Sequence, residues 1–468
     1  VTNFSCGPDA FILHFFERQL GHRPYLELEI DEHTADAGVL TRLEAFLDST
    51  AGAVLEEGGK APFVQSHKDF RCERVLYLPP MTDHLQAFAS AFAANGVEAR
   101  LLPASDEDSL RLGRKYTKGK ECLPAVLTTG DMLKAVLSPD FDPDRSAFFM
   151  PSAGGPCRFG LYHHLHRVIL DELGLGQVQV FSPNQGSTLY QELGLVSKDF
   201  TKLAWKGVVA VDLLLKLLLE TRPYAQDAGE CSRLYTTWLQ SISQAVSRAE
   251  DLRPVLRQAA QAFARVPRKN GGEKPVVGIV GEIYVRSNPF ANEYLVQRLE
   301  DLGVEAWLPT IGEWIHYVNY TGKVHARRNR QFKAWFKLEV ESMIQDRLER
   351  RLLQAGNGWL RSLPEPEIRD LLQDASPYLS PQFEGEAVLS IGKSLDYMRK
   401  KVQGLVNVMP FTCMPGGVVD AIMPKLRRDA SIPMLSLCFD GQTETNIQNR
   451  LEAFAHQVWQ QWTAGSGR

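Results

Sequence analysis

Cysteine is sparse in this chain and never clustered. Seven cysteines in 468 residues are scattered, odd in number and without one C-x2–4-C spacing. That pattern argues against a disulfide framework and against zinc, whose ligands usually come as local cysteine pairs. An excess of one charge is missing too. Lysine and arginine number 52 against 56 acidic residues, a net charge of −4, with a pI near 6.3. Nothing here argues for nucleic acid or an anionic membrane as partner. No apolar run reaches the roughly 18 residues that a membrane span needs. The stretch Val208–Leu219 is too short and is broken by Asp212 and Lys216. The first residues lack a basic segment followed by an apolar one. Ser5-Cys6-Gly7-Pro8 reads instead like the middle of a domain. The expectation is a cytoplasmic piece of something longer.

What is present is ordinary globular material, 44% hydrophobic and 23% charged, with core enough for two to four domains. Short apolar runs predict strands at Tyr25–Ile30, Val75–Leu78, Ala99–Leu102, Ala147–Met150, Val178–Phe181, Val276–Val280, Ala306–Leu308, Ala387–Ile391, Leu405–Met409 and Pro433–Phe439. Continuous apolar strands belong to sheets covered on both faces. Helical patterns such as Ala291–Leu302 and Gly416–Arg428 lie between them. The alternation predicts α/β layers with mainly parallel sheets. Residues 206–265 read as helix throughout, broken near Arg222-Pro223, and 326–353 as a charged helical stretch. Segment 266–275 reads as a linker. The expected division is one α/β unit at 69–205, a helical connection and linker at 206–270, and a second α/β unit at 271–468.

Residues 1–68 resemble the end of the same chain. Cys6-Gly7-Pro8 aligns with Cys413-Met414-Pro415, Pro24 and Asp31 with Pro433 and Asp440, and Thr34 with Thr443. Arg42-Leu43-Glu44-Ala45-Phe46 then recurs letter for letter as Arg450-Leu451-Glu452-Ala453-Phe454. A repeat at matched spacing changes the fold reading. Residues 1–68 are read as the carboxyl-terminal remnant of a first module, followed by one complete module.

Three cysteines precede a proline at the second position: Cys6-Gly7-Pro8, Cys122-Leu123-Pro124 and Cys413-Met414-Pro415. Cys157 follows one, in Gly154-Gly155-Pro156-Cys157-Arg158-Phe159-Gly160. Cys157 and Cys413 follow predicted strands, and carboxyl ends of strands in an open α/β sheet face the ligand crevice. Cysteines on separate strand ends can therefore converge. Thiolates hold iron, and proline beside a ligand cysteine is familiar in ferredoxin-like sites. Proline fixes the turn, and glycine leaves room for an inorganic cluster. The residues alone leave three readings open: cluster ligands, buried structural thiols, or a catalytic nucleophile. Cys72, Cys231 and Cys438 lack this setting and read as bystanders.

Gly281-Glu282 turns a strand into a helix and is neither a Walker loop nor a dinucleotide fingerprint. Glu282 reads as a polar site residue, and Asn288-Pro289 as a helix start. Asp31-Glu32-His33-Thr34-Ala35-Asp36 resembles a metal or acid/base cluster, with helix capping as the plain alternative. Arg111, Arg114, Lys115, Lys118 and Lys120 lead up to Cys122 and suit either a solvated face or an acidic partner.

Taken together, the Cys6, Cys122, Cys157 and Cys413 motifs, Glu29-Ile30-Asp31-Glu32-His33-Thr34-Ala35-Asp36 and Gly281-Glu282-Ile283-Tyr284 resemble the 2-hydroxyacyl-CoA dehydratase family. They resemble most the carboxyl-terminal part of its long, fused, activase-related members. The resemblance implies Rossmann-like parallel-sheet α/β domains with a helical connection, the first module being truncated. It implies an iron–sulfur cluster, 4Fe–4S or double-cubane 8Fe–9S, on Cys122, Cys157 and Cys413, with Cys6 as the counterpart of Cys413 in the preceding module. It implies low-potential electrons from an ATP-dependent activase, a second dehydratase-like module as partner, and a CoA thioester or small reducible molecule as substrate. A three-cysteine cluster leaves one iron open for substrate. A fourth cysteine there favours electron transfer alone, so the alternative is a cluster-carrying or scaffold subunit without substrate chemistry.

Overall fold

The computed structural model describes residues 2–3, 9–20, 23–31, 34–50, 73–155, 157–184, 199–270, 272–356, 358–442 and 445–466. Cys6, Cys72, Glu32 and His33 lie outside the described residues. Ten strands are named in chain order: β1 (Thr2–Asn3), β2 (Glu29–Ile30), β3 (Val75–Leu78), β4 (Ala99–Leu101), β5 (Ser146–Phe149), β6 (Gln179–Phe181), β7 (Val276–Gly281), β8 (Glu305–Trp307), β9 (Gly404–Pro410) and β10 (Met434–Phe439).

Two four-stranded sheets, each wholly parallel, organise the chain. Their orders are β4-β3-β5-β6 and β8-β7-β9-β10. Both follow the pattern second–first–third–fourth, so the winding reverses between β3 and β5 in one sheet and between β7 and β9 in the other. Such reversal points open a crevice at the carboxyl ends of the strands. β5, β6, β7 and β9 are buried almost throughout, as strands covered by helices on both faces must be.

The helical stretch after the first sheet is a layer of that domain. Helices Phe200–Thr221, Ala228–Ser247 and Leu252–Ala264 share one core with Leu76, Leu78, Phe92, Phe149 and Phe181. The first of them runs through the boundary expected at 205/206. The two lobes also share a core. Leu110, Leu123, Val126 and Leu127 of the first pack with Val277, Val408, Leu437 and Phe439 of the second.

One expected strand is a helix. Ala387–Ile391 lies in helix Glu386–Arg399, whose residues 387–394 are all buried. A helix buried on every side shows no polar face, and over five residues it cannot be told from a buried strand. Its packing confirms the close fit, since a Cβ on Gly392 would meet the Leu371 carbonyl at 2.4 Å. The helix expected at Ala291–Leu302 starts later, at Leu295, because Glu293 and Tyr294 adopt φ of +53° and +59°.

At the amino terminus, β1 pairs in parallel with β2. Helices Asp9–Leu20 and Asp36–Thr50 follow these strands, as Met414–Ala430 and Thr445–Ser466 follow β9 and β10.

Candidate functional site

Three of the four predicted cysteines are described, and each sits where a loop meets a helical turn. Cys122 caps helix Leu123–Val136 with Pro124 in its first turn. Cys157 precedes the short turn Arg158–Leu161 after β5. Cys413 caps helix Met414–Ala430 after β9, and its Sγ accepts the Gly416 N–H at 3.4 Å. Proline at the second helical position costs no hydrogen bond there. Glu282 follows β7, which flanks β9 at the reversal point, and caps the turn Ile283–Ser287. Its carboxylate accepts from the Tyr284 N–H at 3.1 Å and the Val285 N–H at 2.8 Å. Gly281 makes this turn possible. Its φ is +108°, and a Cβ would lie 2.1 Å from the Val408 carbonyl.

The loops of the two lobes meet. Arg158, beside Cys157, donates to the Thr412 carbonyl at 3.3 Å and to the Thr412 hydroxyl, beside Cys413. Asn288 donates to the Pro80 carbonyl at 3.1 Å, tying the second lobe to the loop after β3. The Cys122 Sγ lies 2.7 Å from the Tyr162 hydroxyl. Helix Asp9–Leu20 covers that side. Phe11 stacks on Tyr162 at 5.8 Å, and His14 forms a buried pair with Glu121.

Glu386 is the residue that sequence reasoning missed. It opens helix Glu386–Arg399 and accepts the Ile283 N–H at 2.9 Å. Its carboxyl thus shares one chain turn with Glu282. Burial pushes it up to about 8, and the negative Glu282 adds to the effect. The only signal in the sequence is an acidic residue after Gly385 at a helix start, concealed by the strand reading. Burial also raises Glu282.

The thiols are costly to ionise here. Burial, then Glu386, push Cys157 to about 12. Burial, then Glu386 and Glu282, raise Cys413 further. Burial raises Cys122 against the opposing pull of Tyr162 and Arg158. Cys157 keeps exposed surface although protein surrounds it on most sides. Cys413, Glu282 and Glu386 are half-buried.

Zinc–sulfur bonds of about 2.3 Å in a tetrahedron put sulfurs roughly 3.8 Å apart. Among the described residues, the group whose ligand atoms all lie within 4.8 Å is His316, Asp346 and Glu349, so the three thiols stand wider than one ion's shell. In that triad Nε2 of His316 faces Glu349 at 2.5 Å and Nδ1 faces Asp346 at 3.6 Å. Both ring nitrogens are engaged, as in an imidazolium between two carboxylates.

The remaining candidates have partners of their own. Arg111 pairs with Asp108 at 3.0 Å. Arg114 donates to the Asp440 carbonyl at 3.2 Å. Lys115 lies over the Tyr116 ring, and Lys120 pairs with Glu27 and Glu29. Asp31 accepts from the Thr34 hydroxyl at 2.8 Å, a local turn. Cys231 is buried in a helix and Cys438 lies in β10.

No protein-family pattern matches the chain, and no curated protein matches it.

Proposed function

We propose that this chain is an iron–sulfur redox component, with Cys122, Cys157 and Cys413 as the ligands of a 4Fe–4S or double-cubane cluster. Within that class, we read it as similar to 2-hydroxyacyl-CoA dehydratase and double-cubane reductase subunits. It would work in the cytoplasm, take low-potential electrons from an ATP-dependent activase, and act on a CoA thioester or small reducible molecule. The observation that carries this reading is the Arg158–Thr412 bridge, which holds the Cys157 and Cys413 loops of two lobes together.

When bound, such a cluster supplies electrons one at a time. The chain's own residues do the rest. Arg158 positions the two loops. Tyr162 holds Cys122. The Tyr284 and Val285 amides fix Glu282. Glu386 keeps its proton up to about pH 8, so a neutral carboxylic acid stands beside Glu282 as a proton donor.

The test is anaerobic reconstitution followed by iron and sulfide analysis and EPR. About four irons per chain support a single cubane and about eight a double cubane. Cys122→Ala, Cys157→Ala and Cys413→Ala each reduce the iron content. An EPR signal that substrate analogues do not perturb favours the electron-transfer alternative. A reconstituted chain that binds no iron defeats both readings.

A further inference from the structure

The near balance of charge over the whole chain conceals a local excess. Between Glu313 and Glu339 there is no acidic residue, and Lys323, Arg327, Arg328, Arg330, Lys333 and Lys337 all fall there. They lie around the tip of a helical hairpin, where Ile311–Arg328 turns back through residues 329–331 into Phe332–Leu353. Lys323 pairs with Glu339 at 3.3 Å and Lys337 with Glu341 at 3.8 Å. Among the described residues, Arg327, Arg328, Arg330 and Lys333 have no ion pair.

The second helix of the hairpin is apolar on its solvent side. Leu338, Ser342, Gln345, Glu349 and Leu352, at steps of four and three, face the protein. Leu338 lies against Gly322. The Gln345 carbonyl accepts from Trp205 at 3.1 Å and its side chain from Asn319 at 2.6 Å. Leu352 is buried in the core of the first lobe. At about 100° per residue, Phe332, Phe336, Val340, Met343 and Ile344 lie on the opposite side. They are 66%, 64%, 40%, 63% and 41% exposed. Among the described residues, no side chain from 321 to 347 joins any of the hydrophobic cores. The exposed side of a helix is ordinarily polar. Here an apolar row runs for about 18 Å, with Arg330 and Lys333 at one end and Arg347 and Arg351 beyond the other.

An exposed apolar row marks an interaction surface, and its charge selects the partner. Two copies of the row packed in parallel would superpose their basic tips. Packed antiparallel about Val340, they would set Lys333 against Arg347. Both arrangements repel. A nucleic acid would set its phosphates against large apolar side chains that donate nothing. An anionic lipid surface suits both features. Apolar side chains sink into the acyl boundary while lysine and arginine stems reach back to the headgroups. Among the described residues, no helix is long and apolar enough to cross a membrane, so the contact lies along the surface. We propose that helix Phe332–Leu353 lies flat on a membrane surface carrying anionic phospholipid. Phe332, Phe336, Val340 and Met343 insert, and the unpaired cations of the hairpin tip sit on the headgroups. This surface uses none of the cysteines, and it works whether or not the chain carries a cluster.

The test is flotation of the chain with vesicles of phosphatidylcholine alone or with about 30% phosphatidylserine. The chain is expected to bind the anionic vesicles at least about tenfold more tightly than the neutral ones, and salt of about 0.5 M should release it. Phe332→Ser with Phe336→Ser should weaken binding at least about tenfold, and so should Arg330→Glu with Lys333→Glu. Neither pair should move the thermal midpoint, because these side chains are exposed. A chain that does not float with the anionic vesicles overturns the proposal. So does binding that the serine pair leaves intact, which means adsorption by charge without insertion. A midpoint lowered by the serine pair means that the row is already covered, and overturns it too. Tighter binding to a single-stranded oligonucleotide than to the vesicles assigns the tip to nucleic acid. Self-association without vesicles, lost in the serine pair, assigns the row to a second copy. Either result overturns the proposal.

Discussion

Arg158 donates to the Thr412 carbonyl at 3.3 Å across 254 residues of chain, and a second bond reaches the Thr412 hydroxyl. Thr412 holds φ of +64°, which a β-branched residue rarely adopts, so the bridge opposes a local strain. Arg158→Ala leaves these acceptors without their partner and is expected to cost about 1–3 kcal/mol. After anaerobic iron loading, it should also lose iron to a chelator faster than the unsubstituted chain. Arg158→Lys should recover only part, because an ammonium lacks the planar fork of a guanidinium. Denaturation midpoints and chelation rates check this. Wild-type values of both in Arg158→Ala would show that the bridge holds nothing.

Cys157 combines exposure with a thiol pushed to about 12. Only the thiolate reacts. In the metal-free chain, iodoacetamide should therefore modify Cys157 at pH 8 at least about tenfold more slowly than free cysteine. Burial is the main cause and Glu386 the next, so above about pH 8, where Glu386 is ionised, Glu386→Gln should speed the reaction without unfolding the chain. Peptide mass spectrometry over a time course reads both rates. A rate equal to free cysteine contradicts the account.

Strands β3 to β10 and the helix-start positions of Cys122 and Cys413 were legible because their signals are local. β3, β7 and β9 are apolar runs of strand length, and Cys122 and Cys413 each stand two residues before a proline at a helix start. Glu386 was not legible. Its helix is buried on all sides, so the apolar pattern carries no 3.6-residue period, and Glu386 meets Glu282 only through the fold. The helices of 200–264 were legible as helices, but their place as a layer on the first sheet depends on contacts such as Phe200 with Phe92. The repeat was visible in five identical letters.

The carboxyl of Glu386 makes stability depend on pH. Its folded value of about 8 lies above an unfolded value of about 4.3. The folded state therefore binds the proton more tightly. The stability this gives is whole below the unfolded value and is lost as pH rises through about 8. Glu386→Gln keeps a neutral side chain throughout, so its midpoint should gain on the unsubstituted chain between about pH 4 and 8 and then level off. A difference that stays constant over that range would falsify the assignment of the raised carboxyl to Glu386.

His316 makes stability depend on pH in the same direction, through its charged form. Burial alone would lower its pKa, but Glu349 at 2.5 Å and Asp346 at 3.6 Å outweigh burial and raise it. The imidazolium pairs two helices, Ile311–Arg328 and Phe332–Leu353, with Trp205 edge-on against the ring at 5.0 Å. A histidine with a raised folded pKa contributes stability that is whole below its unfolded value of about 6.5 and lost as pH rises through the folded one. His316→Gln should therefore cost about 0.5–1 kcal/mol at pH 6, in the range of a partly solvated ion pair. The cost should vanish at alkaline pH, where the ring is neutral in both states. Thermal midpoints across that range, with an imidazole proton titration by NMR, read the effect. A cost that grows with pH would mean that the neutral ring, rather than the imidazolium, is the form that joins the two helices.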